Sequence, residues 1–344
     1  MAERLGVGVI GVGTIGRQHA ANLASLVPRA RLVAVADANP EAAQRVAAEL
    51  AVPAWSTSAE ELAANPDVEA VVIASSHFAH LEGILAAARH KKDVFCEKPM
   101  TISLEQADQA IAAVTEARVR LQVGFMRRYD PAYVAAKRQI EAGSIGSPVL
   151  VKATHRNLSV PPSLTSGGAG AFVDSAVHDY DNARWFLDDE VVEVHAVAAN
   201  VLGPGCRPDD LSLTTLRFAR GGLATVETYA ACGYAYDVRT EIAGTAGTLF
   251  VGQLRQTGCE LATAAGVAHD TVRHWLARFG EAYQIELTDW VRRTLAGEPS
   301  PVTGAGLDTA MTTLYGYVLG LAIGETLWDT TSREPLQPTD GVDP

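Results

Sequence analysis

The feature of this sequence that most constrains its fold is an apolar strand that runs directly into three closely spaced glycines. Residues 5–10 are apolar or glycine, and an alanine-rich helical segment follows the glycines. The first glycine permits a tight turn, the second lets backbone approach a pyrophosphate, and the third lets helix pack closely on strand. Free N–H groups at the start of such a helix bind phosphate. The spacing therefore predicts dinucleotide contacts at Gly11, Gly13, Thr14, Ile15 and Gly16.

The second predicted strand ends in an acidic residue, Asp37. A carboxylate at this place accepts hydrogen bonds from the adenosine ribose hydroxyls and repels a 2′-phosphate. Ala38 and Asn39 supply no cation that could hold such a phosphate. The pattern favours NAD over NADP. A purely structural glycine turn followed by a helix-capping Asp is the alternative, and the common register of strand, glycines, helix and acid argues against it.

Strands and helices continue to alternate up to residue 124. The segments "VEAVVIASS", "KDVFCEKP" and "LQVGF" are typical of buried parallel strands, and helical sequence separates them. A doubly wound sheet binds its ligands beyond the carboxyl ends of its strands. We therefore expect Ser75, Ser76, His77 and Glu97 to contact the cofactor and Lys98 to be catalytic. An exposed lysine leaving the core is the alternative for Lys98.

Composition limits the classes of partner. A chain of 344 residues with 48% hydrophobic and 20% charged residues fits a globular protein of two domains. The net charge of −12 argues against nucleic acid and anionic membranes as partners. The first strand leaves no room for a signal peptide, and no apolar run has the length of a membrane span. Four scattered cysteines favour a reducing, cytoplasmic location and argue against a zinc site.

The remaining sequence has a different pattern. One helical segment, residues 126–148, is followed by alternating stretches that predict antiparallel strands with glycine turns, and helical sequence returns at 278–297 and 307–327. We predict two domains: a dinucleotide-binding Rossmann domain with a doubly wound parallel sheet at 1–124, and a substrate-binding and oligomerisation domain at 125–344. The second is expected to be α+β, with an open, mostly antiparallel sheet.

The segment at 172–187, "FVDSAVHDYDNARWFL", predicts a buried amphipathic helix. Asp174, His178 and Asp181 fall at i, i+4 and i+7 beside its apolar stripe, so an α-helix would stack them. Imidazole titrates near neutral pH, which makes His178 a candidate general base. Asp174 could accept its ring N–H and fix the tautomer. A buried His–Asp pair that only satisfies the core is the alternative, and a redox cofactor bound by the same chain argues for catalysis.

Several segments together resemble the Gfo/Idh/MocA oxidoreductases, and within them the bacterial NAD-dependent inositol dehydrogenases. These segments are "GVIGVGTIGRQHAANL", "VFCEKPM", "QVGFMRRYDPAY", "THRN" and "GAFVDSAVHDYDNARWFL". The resemblance implies a Rossmann domain, a C-terminal α/β domain, and assembly through its sheet as a homo-oligomer, often a tetramer. It also places the family's catalytic lysine, aspartate and histidine at Lys98, Asp174 and His178.

The same resemblance supplies candidate contacts for the other hydroxyls of a polyol. They are Met126, Arg127, His155, Asn157, Asp179 and Tyr236, with Tyr234 as the alternative to the last, besides the catalytic Lys98, Asp174 and His178. Asn and His both donate and accept hydrogen bonds, which suits vicinal diols. The alternatives are that Arg127 pairs with an acidic residue and that Tyr283 simply packs.

The resemblance implies oxidation of a secondary hydroxyl of myo-inositol or a close relative, with the nicotinamide as hydride acceptor. Lys98 would stabilise the developing alkoxide charge. Three alternatives stay open. One is another inositol isomer or sugar, such as scyllo-inositol, glucose or an anhydrosugar. Another is NAD-dependent cleavage of a glycosidic bond. The third, a non-catalytic NAD-binding regulator, is disfavoured by the intact Lys98, Asp174 and His178.

Overall fold

The computed structural model describes residues 4–101, 103–162, 165, 170, 172–206, 209–302, 327–329 and 334–335. The chain divides into two compact units, and each is discontinuous in sequence. The first comprises Met1–Asp130 and Glu281–Asp308, and the second comprises Pro131–Gly280 and Thr309–Pro344. The sequence predicted one division after residue 124 and did not predict the return of the chain to the first unit at residue 281.

The first unit is built on a six-stranded parallel sheet with the order β3-β2-β1-β4-β5-β6. Its strands are β1 (Leu5–Ile10), β2 (Ala30–Ala36), β3 (Ala54–Ser56), β4 (Ala70–Ile73), β5 (Asp93–Glu97) and β6 (Leu121–Gly124). The four central strands, β1, β2, β4 and β5, are apolar almost throughout, as expected for strands covered on both faces. The chain order reverses between β1 and β4, which is where doubly wound folds bind ligands. The predicted Rossmann architecture is confirmed.

Helices cross over between these strands, and local sequence fixes where several of them begin. They are α1 (Thr14–Ser25), α2 (Pro40–Glu49), α3 (Ala59–Ala64), α4 (His80–Arg89) and α5 (Leu104–Ala117). The side chain of Asn39 accepts from the amides of residues 41 and 42, and Pro40 occupies the first turn. Ser58 and Ser103 cap α3 and α5 in the same way.

The core of the first unit includes a helix from the far end of the sequence. Helix α8 (Trp275–Ala296) presents Leu287, Trp290 and Val291 at helical spacing, and all three are buried in the same cluster as the side chains of β1 and α1. The Trp290 ring lies edge-on to Phe95 of β5, with centroids 5.7 Å apart. This packing explains why residues 281–308 belong with the first unit.

The second unit is built on an eight-stranded sheet with the order β12-β11-β7-β10-β9-β8-β15-β16. Its strands are β7 (Pro148–Arg156), β8 (Val191–Ala199), β9 (Leu211–Phe218), β10 (Leu223–Tyr229), β11 (Asp237–Gly244), β12 (Thr248–Val251), β15 (Leu327–Asp329) and β16 (Glu334–Pro335). Among the strand pairs of this sheet in the described residues, only β7 and β10 run parallel. The predicted mostly antiparallel sheet is confirmed.

Burial alternates along these strands, so the sheet has two different faces. Helices α6 (Pro131–Glu141) and α7 (Val177–Leu187) belong to this unit, and Tyr133 of α6 stacks on Phe186 of α7 with ring centroids 6.0 Å apart. On the outer face, Val197, Leu213 and Leu223 are 51%, 47% and 44% exposed. A separate hairpin, β13 (Glu260–Thr263) with β14 (Gly266–His269), is exposed on every residue.

Two predicted helices differ from the structure. The segment at 126–148 begins as a 3₁₀ turn, Met126–Tyr129, and becomes α-helical only at Pro131, whose ring is favoured at a helix start. The segment at 172–187 begins with a π-helical turn, Phe172–Ala176, before α7. The α-helical geometry that would stack Asp174 on His178 therefore starts only at Val177. The predicted helix at 307–327 lies outside the described residues except for Leu327, which is the first residue of β15.

Candidate active site

The three glycines of the first turn have different steric surroundings. Gly11 has a φ of +84°, and a Cβ added to it would lie 2.3 Å from the Cα of Ser75. A Cβ on Gly16 would lie 1.9 Å from the carbonyl oxygen of Gly11. A Cβ on Gly13 would meet no heavy atom of the described residues within 4 Å, apart from its chain neighbours and its own helix backbone. The fold itself thus requires glycine at 11 and 16, whereas the side of Gly13 is open for a ligand.

The start of helix α1 is suited to an anion. Gly13 is its N-cap and makes no side-chain cap bond, and the first turn carries no acidic residue. Gly13 and Thr14 are exposed and Ile15 is half-buried. Backbone N–H groups at such a helix start attract phosphate oxygens. This open turn fits the pyrophosphate of a dinucleotide.

The carboxylate of Asp37 is anchored to the glycine turn. Its Oδ2 accepts the backbone N–H of Val12 at 2.8 Å, and its Oδ1 accepts that of Asn39 at 2.9 Å. Each carboxylate oxygen has a second lone pair, so these bonds leave acceptor capacity for ribose hydroxyls. Asp37 is half-buried at the end of β2. The structure therefore places a fixed negative charge beside the turn, as the prediction of NAD requires.

Lys98 and Glu97 lie at the carboxyl end of β5, and their side chains have different surroundings. Lys98 is half-buried, whereas Glu97 is only 4% exposed. The Oε1 atom of Glu97 lies 2.6 Å from the Nε2 of His19, and its Oε2 accepts the backbone N–H of Lys98 at 3.2 Å. The carboxylate of Glu97 is thus engaged in the interior of the first unit, and its direct contact with cofactor stays a prediction.

A second buried histidine, His80, lies next to the turn formed by residues 97–99. It is 1% exposed, with Nδ1 2.7 Å from the carbonyl oxygen of Pro99 and Nε2 3.1 Å from that of Ser75. Burial lowers the pKa of His80 below its ordinary value, against the effect of the two carbonyl contacts. Ser75 and His77 are half-buried after β4, and Ser76 is exposed. Sequence reasoning missed both His19 and His80, although each lies on the apolar side of its helix.

In the second unit the structure brings three predicted substrate residues together. The Nδ1 of His155 lies 3.2 Å from the Oδ2 of Asp179, and the ring of Tyr236 is edge-on to that of His155 at 5.7 Å. All three are buried. Tyr234, the alternative to Tyr236, is 41% exposed, and its hydroxyl donates to Asp237. The geometry therefore favours Tyr236 as the tyrosine that belongs with His155.

The other predicted residues are distributed between the units. Met126 and Arg127 lie in the 3₁₀ turn after β6 of the first unit, and both are buried. Asn157 is half-buried just after β7 of the second unit, and its backbone bonds to Tyr229 and Cys232. His178 is 4% exposed in the first turn of α7. Asp174 is half-buried in the π-helical turn that precedes α7.

In the part of the chain that the structure describes, no three His, Cys, Asp or Glu side chains cluster as metal ligands would. Among the same residues, every helix lacks the length or the apolar character needed to span a bilayer.

The parallel sheet, the glycine turn and Asp37 define a dinucleotide-binding unit of an oxidoreductase. Comparison with known proteins agrees. The family model described as "Oxidoreductase family, NAD-binding Rossmann fold" matches residues 5–125, and the model of the GFO/IDH/MocA C-terminal domain matches residues 133–250. The chain belongs to the Gfo/Idh/MocA family of NAD-binding oxidoreductases.

Similar proteins narrow the comparison further. The chain is 37% identical over 307 residues to scyllo-inositol 2-dehydrogenase (NAD(+)) of Bacillus subtilis, covering 88% of this chain and 90% of that protein. It is 39% identical over 299 residues to inositol 2-dehydrogenase of Rubrobacter xylanophilus, covering 86% and 85%. Among solved structures, myo-inositol dehydrogenase of Lactobacillus casei in complex with NAD(H) and myo-inositol superposes with a TM-score of 0.87 at 28% identity, covering 98% and 99%.

Proposed function

We propose that this protein is an NAD-dependent dehydrogenase that oxidises a secondary hydroxyl of a cyclic polyol, myo-inositol or a close relative, to the ketone. The observation that carries the proposal is the glycine turn with Asp37 bonded to its backbone, in a chain whose relatives over most of their length are inositol dehydrogenases. The polar cluster of His155, Asp179 and Tyr236 supplies donors and acceptors of the kind that vicinal hydroxyls require.

Each proposed catalytic residue has one task in this reaction. Bound NAD⁺ supplies the acceptor for the hydride. His178 takes the proton of the reacting hydroxyl, Asp174 accepts a ring N–H of His178 and fixes its tautomer, and Lys98 donates to the oxygen as negative charge grows. Met126, Arg127, Asn157 and the buried cluster are proposed to hold the remaining hydroxyls.

Replacement of the catalytic residues tests this assignment. We expect His178→Ala and Lys98→Ala to lower kcat by at least about a hundredfold, the usual contribution of one acid–base or charge-stabilising group, while NAD still binds. His269→Ala is a matched control, since His269 is exposed on the isolated hairpin. If both active-site variants keep the turnover of the control, the proposed mechanism is wrong.

Other substrates are alternatives that the same assay separates. Scyllo-inositol is supported by the relative from Bacillus subtilis, whose name specifies that isomer. Glucose, an anhydrosugar or a glycoside would be recognised by the same kinds of polar group. Cleavage of a glycoside without accumulation of NADH would identify the glycosidic reaction, because transient oxidation returns the hydride to the sugar.

We further propose that the chain acts as a homo-oligomer in the cytoplasm. Val197 and Leu213 are registered neighbours on β8 and β9, and both are exposed on the outer face of the sheet. Exposed apolar residues that lie side by side mark interaction surfaces. The free cysteines suit a reducing compartment.

A lysine placed on the outer face tests the proposed interface. We expect Leu213→Lys to shift the mass measured by light scattering to a smaller species with unchanged circular dichroism, because assembly would have to bury the added charge. Leu261→Lys, on the exposed hairpin and 64% exposed, is the matched control and should leave the mass unchanged. A monomeric native protein, or loss of assembly only in the control, would contradict the proposal.

A further inference from the structure

The turn that carries Lys98 is held on both sides by buried histidines. On one side, His19 of α1 contacts the carboxylate of Glu97 at 2.6 Å, and that carboxylate accepts the Lys98 backbone N–H at 3.2 Å. On the other side, His80 of α4 contacts the carbonyl oxygen of Pro99 at 2.7 Å. Both rings are essentially inaccessible, at 0% and 1% exposure. Residues 97–99 are therefore tied to two different helices.

We propose that His19 and His80 are positioning residues for Lys98: they fix the backbone on either side of it and so set the place of its ammonium group. This inference rests on the proposed function only in that Lys98 acts on the reacting oxygen. His19 also ties the turn to the helix that follows the glycine turn. His80 ties it to Ser75, where β4 ends. The two histidines would thus connect the turn that carries Lys98 to segments that are expected to bind the cofactor.

The contact between His19 and Glu97 has the properties of a fixed link. A carboxylate that is almost fully buried needs hydrogen-bond partners, since burial of an unpaired charge is costly. The His19 ring is held edge-on to Phe95 at 5.6 Å and to Tyr283 at 5.7 Å, so its direction is set by packing. A hydrogen bond to a carboxylate is shorter and stronger than one between neutral groups. Because the ring of His19 has a fixed orientation, this bond holds Glu97 in place, and with it the Lys98 backbone N–H.

His80 faces two groups that can only accept hydrogen bonds. A neutral imidazole has one N–H, so it donates to one carbonyl at a time. The lengths of the two contacts indicate which ring nitrogen carries the proton. The shorter contact, from Nδ1 to Pro99, is the better hydrogen bond. We therefore assign the donated proton to Nδ1 and the positioning role to the Pro99 contact.

Asparagine and glutamine separate the two contacts of His80. The amide nitrogen of Asn reaches about the place of Nδ1, and that of Gln about the place of Nε2. We expect His80→Asn to keep kcat within about threefold of the native enzyme, and His80→Gln and His80→Leu to lose at least about tenfold. The Kd for NAD⁺, measured by titration of the purified protein, should stay within about threefold in all three. The same logic predicts that His19→Gln retains more turnover than His19→Leu, because Gln still donates to Glu97.

A double-mutant comparison distinguishes positioning from general support of the fold. If His80 acts through Lys98, His80→Leu should lower the residual turnover of the Lys98→Ala enzyme by less than about twofold, although it costs at least about tenfold in the native enzyme. Equal losses in both backgrounds would overturn the inference, as would recovery by Gln but not by Asn. Full turnover of Lys98→Ala itself would instead refute the proposed catalytic role of Lys98, so the two failures are distinguishable.

Discussion

Two glycine substitutions three residues apart should separate what the fold needs from what the cofactor needs. A Cβ on Gly16 would lie 1.9 Å from the oxygen and 2.8 Å from the carbon of the Gly11 carbonyl group, whereas ordinary contacts begin at 3.4 Å. Both atoms are backbone, so strand or helix must move by more than an ångström. Overpacking costs about 1–3 kcal/mol where side chains can adjust. We expect Gly16→Ala to lower the free energy of unfolding by about 3 kcal/mol or more.

Gly13→Ala should behave in the opposite way. Its added Cβ would meet no heavy atom of the described residues within 4 Å, apart from its chain neighbours and its own helix backbone, and its φ of −64° is in the negative range that L-residues prefer. As an N-cap, Ala is less stabilising than Gly by a few tenths to about 1 kcal/mol. Ala also stabilises the folded state by about 0.4–1 kcal/mol, because it lowers the conformational entropy of the unfolded chain. The net change in stability should stay within about 1 kcal/mol. Affinity for NAD⁺ should nevertheless fall at least about tenfold, because the methyl group takes the space through which a pyrophosphate approaches.

Urea unfolding of both variants, with NAD⁺ titrations of the folded proteins, measures the two effects separately. Native affinity of Gly13→Ala for NAD⁺ would show that the open side of Gly13 does not face the phosphates. Unfolding of Gly16→Ala at the native urea concentration would show that the clash is relieved without cost.

Two further predictions concern charge. Burial lowers the pKa of His80 from its ordinary value of 6.5. As the pH falls, the ring is therefore protonated in the unfolded chain before it is protonated in the folded chain. The free energy of unfolding should therefore fall as pH drops below about 6.5. Measured by urea unfolding between pH 5 and 8, this fall should be shallower in His80→Asn. An unchanged slope would contradict a neutral, buried ring. Asp37→Ser combined with Ala38→Arg should shift the ratio of kcat/KM values from NAD⁺ toward NADP⁺, because it removes a repulsive charge and adds a cation. An unaltered ratio would mean that Asp37 does not face the ribose.

The first unit could be predicted well because its determinants are local. The glycine spacing, Asp37 and the alternation of apolar strands with helices each constrain a neighbouring stretch of chain, and five of the six parallel strands follow; the short strand β3 was not predicted. Helix α8 is the exception. Its amphipathic pattern indicates that Leu287 and Trp290 are buried, but the pattern does not say against which sheet. Their place in the core with β1 and α1 required the structure.

The candidate site was predictable only where a residue type by itself indicates chemistry. Lys98 and Asp37 lie where predicted strands end, and His178 lies on the polar face of a predicted helix. Their positions and residue types together indicated a functional role. His19 and His80 lie on buried helix faces, and their partners Glu97 and Pro99 are distant in sequence, so spacing could not reveal them. The π-helical turn before α7 was missed for a similar reason, since its apolar residues also fit the period of an α-helix.

Oxidation of a polyol is measured by following the absorbance of reduced cofactor when the purified protein is mixed with NAD⁺ or NADP⁺ and a panel of inositols, aldoses and glycosides. We expect NAD⁺ to be reduced with myo-inositol or scyllo-inositol, and aldoses and NADP⁺ to give little product. Reduction with none of the polyols while NAD⁺ is bound, or a clear preference for NADP⁺, would contradict the proposed function.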